Sequence, residues 1–421
     1  MQATQATRSS DGASPAGTPP RLAPLLLFLA GLAVYWGILV WHRGEWLPQS
    51  SWPYFTYYAR TLLDGQLHFG ALPPARLDLV VFEGRTYMHH PPFPALLLAP
   101  FVAAFGLAFP DRWLGAVLGA LNGALLHALL GALDRRGVLR TPEPMRLLLC
   151  VFFLFGSVHF YLSVTGNPWE LAHVLCNTLV LLSLGLVLRG RYALAAVAWV
   201  AVLFTRSHVF AGFAVPLGLA WWLEGRAGRA GGARAAALLP ALAIGAAGVG
   251  LLLAFNAARF GDPFESGVSF HALHAAFRER FERHGYFDWS YLPRNLYVLL
   301  LAAPRLQPAF PFLGFSGEGQ SLFLTSPLYL YLLRSLRRPG RPFAALLWCG
   351  VIPALVPILL VMGTGELQFG HRYSSDLQVY LVLLTALGMG GRVTAPAWAL
   401  AAASVAMNAA GAAWFVSTYS E

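Results

Sequence analysis

One polar stretch near the N-terminus, Ser50 to Pro94, gathers side chains able to move a proton, among them Asp64, Asp78, Glu83, His89 and His90. The 421-residue chain has only 19 acids, so this concentration marks the loop as the first place to expect chemistry. A carboxylate within hydrogen-bond reach of a hydroxyl can act as a general base. Cationic groups come later. Arg206, in FTRSHVF, interrupts the long apolar run Tyr192 to Leu223, Arg259 lies in FNAARFGDPFESG, and His371, Arg372, Tyr373 and Asp376 stand together in HRYSSD. A guanidinium meets an oxyanion through a planar, multidentate fork.

Each residue also has a plainer account. Asp78 follows Pro73 and Pro74 and suits a turn, while Asp64 heads an Asp-Gly pair of the kind that ends helices. His89 and His90 precede Pro91 and Pro92, where the backbone is held extended, and either contact a substrate or serve as polar interface residues. Arg206 in lipid would cost at least about 2.5 to 3.5 kcal/mol, so it faces a polar cavity or the outer interface, or it snorkels at a turn between two short helices. Arg372 and Asp376, four apart, could form a helical ion pair worth a few tenths of a kcal/mol. Asp262-Pro263 reads as a turn, and Asn167, Trp169 and Glu170 on a short outer turn could line the same cleft. No HExxH or comparable spacing accompanies the histidines, so no metal site is expected. A divalent cation between Asp78 and Glu83 has no motif behind it. Cys150, Cys176 and Cys349 sit in apolar runs without metal or redox spacing and read as small buried hydrophobes.

These residues must be positioned by apolar spans. The chain is 57% hydrophobic and 11% charged, whereas a soluble chain carries about 25% charged residues; this is a polytopic membrane composition. The net charge is +10, and every basic residue is Arg. In a soluble protein that charge would suggest nucleic acid. Here the arginines cluster between apolar spans, where they set topology, and nucleic-acid binding is excluded.

The expected fold is all-α, a polytopic transmembrane bundle of about 11 to 12 spans with interfacial helices in the outer loops. Residues 1–20 read as a disordered tail, and 21–421 as one multi-pass domain whose first apolar run is an anchor. Spans are expected at Pro24–Trp41, Trp113–Leu133, Met145–Ser163, Leu171–Leu188, a pair broken at Arg206 within Tyr192–Leu223, Ala235–Asn256, Ser321–Leu333, Phe343–Met362, Leu377–Gly390 and Pro396–Val416. Pro94–Phe109 is expected to re-enter or lie at the interface. The Arg-rich linkers Asp134–Arg146, Arg189–Arg191, Glu224–Arg234 and Arg334–Arg341 should face the cytoplasm. That places the loops at about 42–94 and 257–320, with Thr165–Glu170, the Arg206 turn and Gly363–Asp376, on the outer side. A one-sided collection of polar and aromatic groups suits an active site or binding cleft better than a channel, whose polar residues lie within spans. WPYFTYYARTLLDG and SFHALHAAFRERFERHGYF read as membrane-lying amphipathic helices, the second with Phe270, Leu273, Phe277 and Phe281 on one face. Leu296–Ala303 reads as interfacial.

YFTYYARTLLDGQLHF, LDLVVFEGRTYMHHPPFPALLLAPFVAAFG, FNAARFGDPFESG and FGHRYSSDLQVYL together resemble the membrane glycosyltransferases of the GT-C class. That class includes the family 39-like protein O-mannosyltransferases and the lipid A aminoarabinose transferase. The four pieces occupy about a sixth of the chain. The resemblance implies an enzyme of the bacterial cytoplasmic membrane. It would move a sugar from a polyprenyl-phosphate donor to a glycan, lipid or protein acceptor on the extracytoplasmic face. It implies a first-loop acid as base and cationic residues at span mouths on the lipid phosphate. Some members use a divalent cation and others none. The chain departs from the pattern where members carry an acid before the aromatic pair, for it has Ser50, Ser51 and Trp52. The base is then expected from Asp78 first, with Glu83 and Asp64 behind it. Phosphate ligands are expected from Arg206, with His208 nearby, then Arg372 and Arg259, with His371, Tyr373, His89 and His90 in support. The rivals are a transporter or flippase for a lipid-linked intermediate, and a catalytically degenerate scaffold. A transporter would usually show two related halves, which this chain lacks.

Overall fold

The computed structural model describes residues 22–273, 275–308, 312–337 and 342–419. The expected tail at 1–20 and positions 338–341 of the last Arg-rich linker lie outside the described residues. Helix dominates, because in a membrane every backbone polar group needs an internal partner.

The first helix, α1 (Ala23–Arg43), ends on Gly44 in the left-handed conformation. The first long loop then holds α2 (Tyr54–Leu63) and an antiparallel hairpin of β1 (Val80–Phe82) and β2 (Arg85–Tyr87), before α3 (Phe93–Phe105). Next come α4 (Arg112–Arg135) and the pair α5 (Glu143–Phe155) and α6 (His159–Thr165), bent by 51°. The bend is tied down by Gln378 Nε2, which donates to Ser157 Oγ at 2.6 Å. There follow α7 (Pro168–Leu188), α8 (Tyr192–Leu203), α9 (Ala214–Arg226) and α10 (Gly231–Phe260). The second outer region carries α11 (Ala275–His284), α12 (Leu292–Leu300) and a hairpin of β3 (Arg305–Leu306) and β4 (Leu313–Gly314). The chain closes with α13 (Leu322–Thr325), α14 (Leu333–Leu336), α15 (Pro342–Leu360), α16 (Gln378–Met389) and α17 (Ala395–Tyr419).

By length and composition, α1, α4, α7, α10, α15 and α17 can each cross a membrane; the bent α5–α6 pair makes seven. The chain is thus a helical membrane protein. The other apolar stretches are shorter than a crossing: α8 and α16 have 12 residues, α3 and α9 have 13, and Ser321–Leu333 breaks at Ser326–Pro327 into α13, a 3₁₀ stretch and the start of α14. At the centre, α4 packs on α1 and α7, and α8 on α7 and α10. All of α16 is buried, whereas α1 and α10 keep wide apolar faces exposed.

The outer region differs from the sequence expectation in three places. The buried face of α2, including Tyr54, Phe55 and Tyr58, packs on α3 and the tops of α4 and α7 instead of meeting lipid. The segment from Ser269 to Phe287 is not one amphipathic helix. Phe270 ends a 3₁₀ turn and packs on Phe82 and Phe260, because the chain at His271 is drawn out to bridge Val80, with Ala272 N–H donating to Leu79 O at 2.9 Å. Leu296–Ala303 begins inside α12, which packs on α15. Of the cysteines, Cys150 and Cys176 are buried, but Cys349 is exposed on α15.

Candidate active site

The expected break at Arg206 is present. Thr205 Oγ1 donates to Ala201 O at 2.7 Å and Ser207 Oγ to Leu203 O at 2.9 Å. Such hydroxyl-to-backbone bonds compete with helix propagation. Arg206 leaves the helix at φ −142°, ψ 83°, and a 3₁₀ stretch, Ser207–Phe213, carries the chain into α9. Phe93 N–H, at the head of α3, donates to Phe204 O at 2.9 Å. That bond docks the His89–Pro92 segment against the break.

A second 3₁₀ turn, Arg372–Leu377, meets the break from the far end of the sequence and carries Asp376. The buried Asp376 carboxylate accepts from Arg206 Nε at 3.1 Å and Nη2 at 2.8 Å, and His208 Nε2 lies 2.9 Å away, all on Oδ2. Its Oδ1 lies 2.7 Å from Nδ1 of His173 on α7. One carboxylate thus joins α7, the break and the last 3₁₀ turn. The helical Arg372–Asp376 pair weighed from sequence is not made. In a 3₁₀ turn, residues three apart eclipse and those four apart do not, and Arg372 instead donates from Nη1 to Glu366 O at 3.0 Å. Glu366 and Leu367 both have positive φ, 41° and 43°. Backbone strain of this kind persists only where surroundings impose it. The Tyr373 ring lies between two guanidinium carbons, 5.5 Å from that of Arg206 and 5.4 Å from that of Arg372.

The outer wall comes from the first loop. Asp78 has φ 59°, the left-handed region that Asp tolerates better than most residues. The Leu77 carbonyl before it accepts from Tyr54 Oη at 2.7 Å, and the bridge between Val80 and His271 follows. This clamps the Asp78 carboxylate beside His271, Oδ1 to Nε2 3.6 Å. The His271 ring stacks on His89 at 4.4 Å and 11°. Asp78, His89, His90, His173, Arg206, His208, His271, Tyr286, Arg372 and Tyr373 all line one cavity of about 290 Å³.

Burial holds these outer imidazoles neutral. His89 is pushed from 6.5 to about 3 by desolvation, with the neighbouring His271 adding to it. His90 and His271 are lowered for the same first reason. Burial raises the Tyr286 phenol, which therefore stays protonated. Arg206 and Arg372 bring permanent positive charge to the cavity.

Of the ten residues singled out from sequence, six meet here: Asp78, His89, His90, Arg206, Arg372 and Tyr373. Four do not. Glu83, at φ 47°, turns the β1–β2 hairpin, and Asp64 pairs with Arg60 at 2.8 Å on an exposed helix end. Arg259 is spent on structure. It donates to Met88 O, Asn256 Oδ1 and Ser266 O, and so tethers the first loop to the second. His371 is buried beside the cavity, not on its wall. Trp169 lines the cavity as its position suggested, and Asp262 forms the expected turn through Phe264 N–H at 2.8 Å. Among the described residues no group of three or more His, Cys, Asp or Glu side chains is arranged to hold a metal ion.

Sequence reasoning missed His173, His271 and the hub role of Asp376. His173 was legible, since an ionisable residue inside the apolar span Leu171–Leu188 is a functional-site candidate by default. A buried carboxylate does meet the acid-less Ser50–Trp52 segment. Asp111, at the mouth of α4, accepts from Ser50 N at 2.7 Å and Thr56 Oγ1 at 3.1 Å. Burial raises its carboxyl to about 6, and it holds the loop in place from outside the cavity lining.

The bundle that holds this cavity has a fold that has been solved before. One match is the crystal structure of the Archaeoglobus fulgidus oligosaccharyltransferase tethered to an acceptor peptide with an NVT sequon. It has a TM-score of 0.50 and 14% identity, over 93% of this chain and 55% of that one. The same archaeal enzyme in apo form (TM-score 0.42, 13% identity, 93% and 56% covered) and AglB with an inhibitory peptide and dolichol-phosphate (0.44, 13%, 92% and 56%) also match. The chain spans about half the length of these proteins. At such identity the likeness is one of fold, shared with the archaeal oligosaccharyltransferase. No family model and no curated protein matches the chain.

Proposed function

We propose that the protein is a membrane glycosyltransferase that takes a sugar from a polyprenyl-phosphate donor and transfers it to an acceptor hydroxyl at the outer face of a bacterial cytoplasmic membrane. The reading rests on one observation: Asp78, Arg206 and Arg372, far apart in sequence, line one cavity. The Asp78 carboxylate takes the hydroxyl proton as the acceptor oxygen bonds to the anomeric carbon. The bond from that carbon to the phosphate oxygen breaks, and its electron pair stays on the phosphate. Arg206 and Arg372 neutralise the charge that builds there. The fold shared with an enzyme solved with an acceptor peptide supports this reading. The acceptor is a glycan, lipid or protein hydroxyl, and the short helices, joined as broken spans, bring the crossings to about 11 to 12.

Transfer from a polyprenyl-phosphate sugar, assayed with purified protein, tests the reading. Asn also tolerates the left-handed backbone at position 78, so Asp78→Asn removes the base and keeps the turn. It is expected to lower transfer by about 100-fold or more while polyprenyl phosphate still binds. Glu83→Gln and Asp64→Asn, outside the cavity, keep transfer. Full transfer by Asp78→Asn would sink the mechanism.

A further inference from the structure

Within the cavity, His173 has a role the mechanism above does not use. It is fully buried on α7 and lines the cavity, yet its Nε2 has no hydrogen-bond partner. Its Nδ1 is held 2.7 Å from Asp376 Oδ1. With Arg206 on the same carboxylate, Asp376 is ionised, so His173 carries its hydrogen on Nδ1 and presents a bare lone pair at Nε2. Its ring lies 5.9 Å from that of Tyr373, the ring flanked by both guanidinium groups. The lone pair therefore shares the end of the cavity that gathers positive charge.

A bare nitrogen lone pair repels an anion. A phosphate oxygen can settle against it only if Nε2 gains a proton, and the surroundings favour that once the phosphate is present. The imidazolium would then donate Nδ1–H to Asp376 and Nε2–H to the phosphate, two charge-assisted bonds. The charged or titratable groups around His173 are Arg206, His208, Arg372, Tyr373 and Asp376. On α7 itself Glu170 and Cys176 are buried nearby, and His89, His90, His271 and Asp78 belong to the outer wall. Asp376 is paired with Arg206, whose charge offsets its own toward an incoming anion, and its lone pairs are occupied by Arg206, His208 and His173.

We propose that His173 is a phosphate-binding residue that takes up a proton when a phosphate monoester, the dianionic product of transfer, occupies the cavity. This rests on the proposed function, since the monoester is what remains when the sugar leaves a polyprenyl phosphate. A phosphodiester, carrying one charge fewer, gives the imidazolium less support.

Titration calorimetry of the full chain in detergent, with a ten-carbon isoprenyl monophosphate at pH 8 in two buffers of different ionisation enthalpy, counts the protons. At that pH the free monoester is a dianion, its second pKa being about 6. Wild type is expected to take up about one proton per monoester bound, and its methyl diester clearly fewer. His173→Gln should bind the monoester about tenfold more weakly or worse, with uptake abolished. Binding without uptake in wild type overturns the assignment with no variant needed. Uptake that survives His173→Gln, or that disappears only in His208→Gln, places the proton elsewhere and also overturns it. If wild type binds neither ester, the glycosyltransferase reading itself fails.

Discussion

Three outer-loop imidazoles, His89, His90 and His271, are kept neutral by burial, which couples the fold to acidity. Unfolded, each titrates near 6.5, and folded His89 titrates near 3. Between those values the unfolded chain binds protons that the folded chain refuses, so stability falls as pH drops through 6.5. Asp111, raised to about 6, acts in the opposite sense below that pH, so the cleanest reading comes from a difference. The melting midpoint of wild type should fall as pH is lowered from about 7 to about 5, and that of His271→Gln should fall less. Equal slopes would show that His271 is not held neutral. At this scale the sequence disclosed much of the site. Arg206 is legible because an arginine inside a long apolar run must find water or a partner, and Asp78, His89, His90 and Arg372 because they crowd polar gaps. Asp376 was named only as a neighbour of Arg372, since its true partners are 168, 170 and 203 residues away and no local spacing encodes them.

Elements bring those residues together through tight turns. Gly166 caps α6 at φ 67°, and a Cβ there would lie 2.8 Å from the Arg112 backbone. The turn feeds α7, which carries Trp169 and His173 into the cavity. Gly166→Ala combines a positive φ with a backbone clash and is expected to cost about 1 to 3 kcal/mol, read as a lowered melting midpoint together with reduced transfer. An unchanged midpoint would mean that the α4–α6 approach relaxes freely. Spans such as α1, α4 and α10 were plain from apolar length alone. The extended pairing of Val80 with His271 was not, because it joins two loops by backbone bonds that leave no pattern in side-chain type. The same pairing explains why the second amphipathic helix begins later than its periodicity suggested.

For the molecule as a whole, the orientation inferred from the arginines makes a direct prediction. A single cysteine at Glu83, in a chain whose native cysteines are replaced by Ala, should react in intact cells with a membrane-impermeant maleimide, whereas one at Arg189 or Arg191 should react only after lysis. The reverse pattern would turn the cavity toward the cytoplasm. Two short helices then set where the chemistry happens. Both α8, which leads to Arg206, and α16, which follows the turn with Arg372 and Asp376, have 12 residues and so are about 18 Å long. If the orientation tested by that labelling holds, with their Arg-linked ends at the inner surface of a hydrocarbon layer about 30 Å thick, the guanidinium pair would stand roughly 12 Å below the outer boundary. Under the proposed function, the donor phosphate would sink that far beneath the headgroup plane, with its isoprenoid tail leaving sideways between helices at mid-depth.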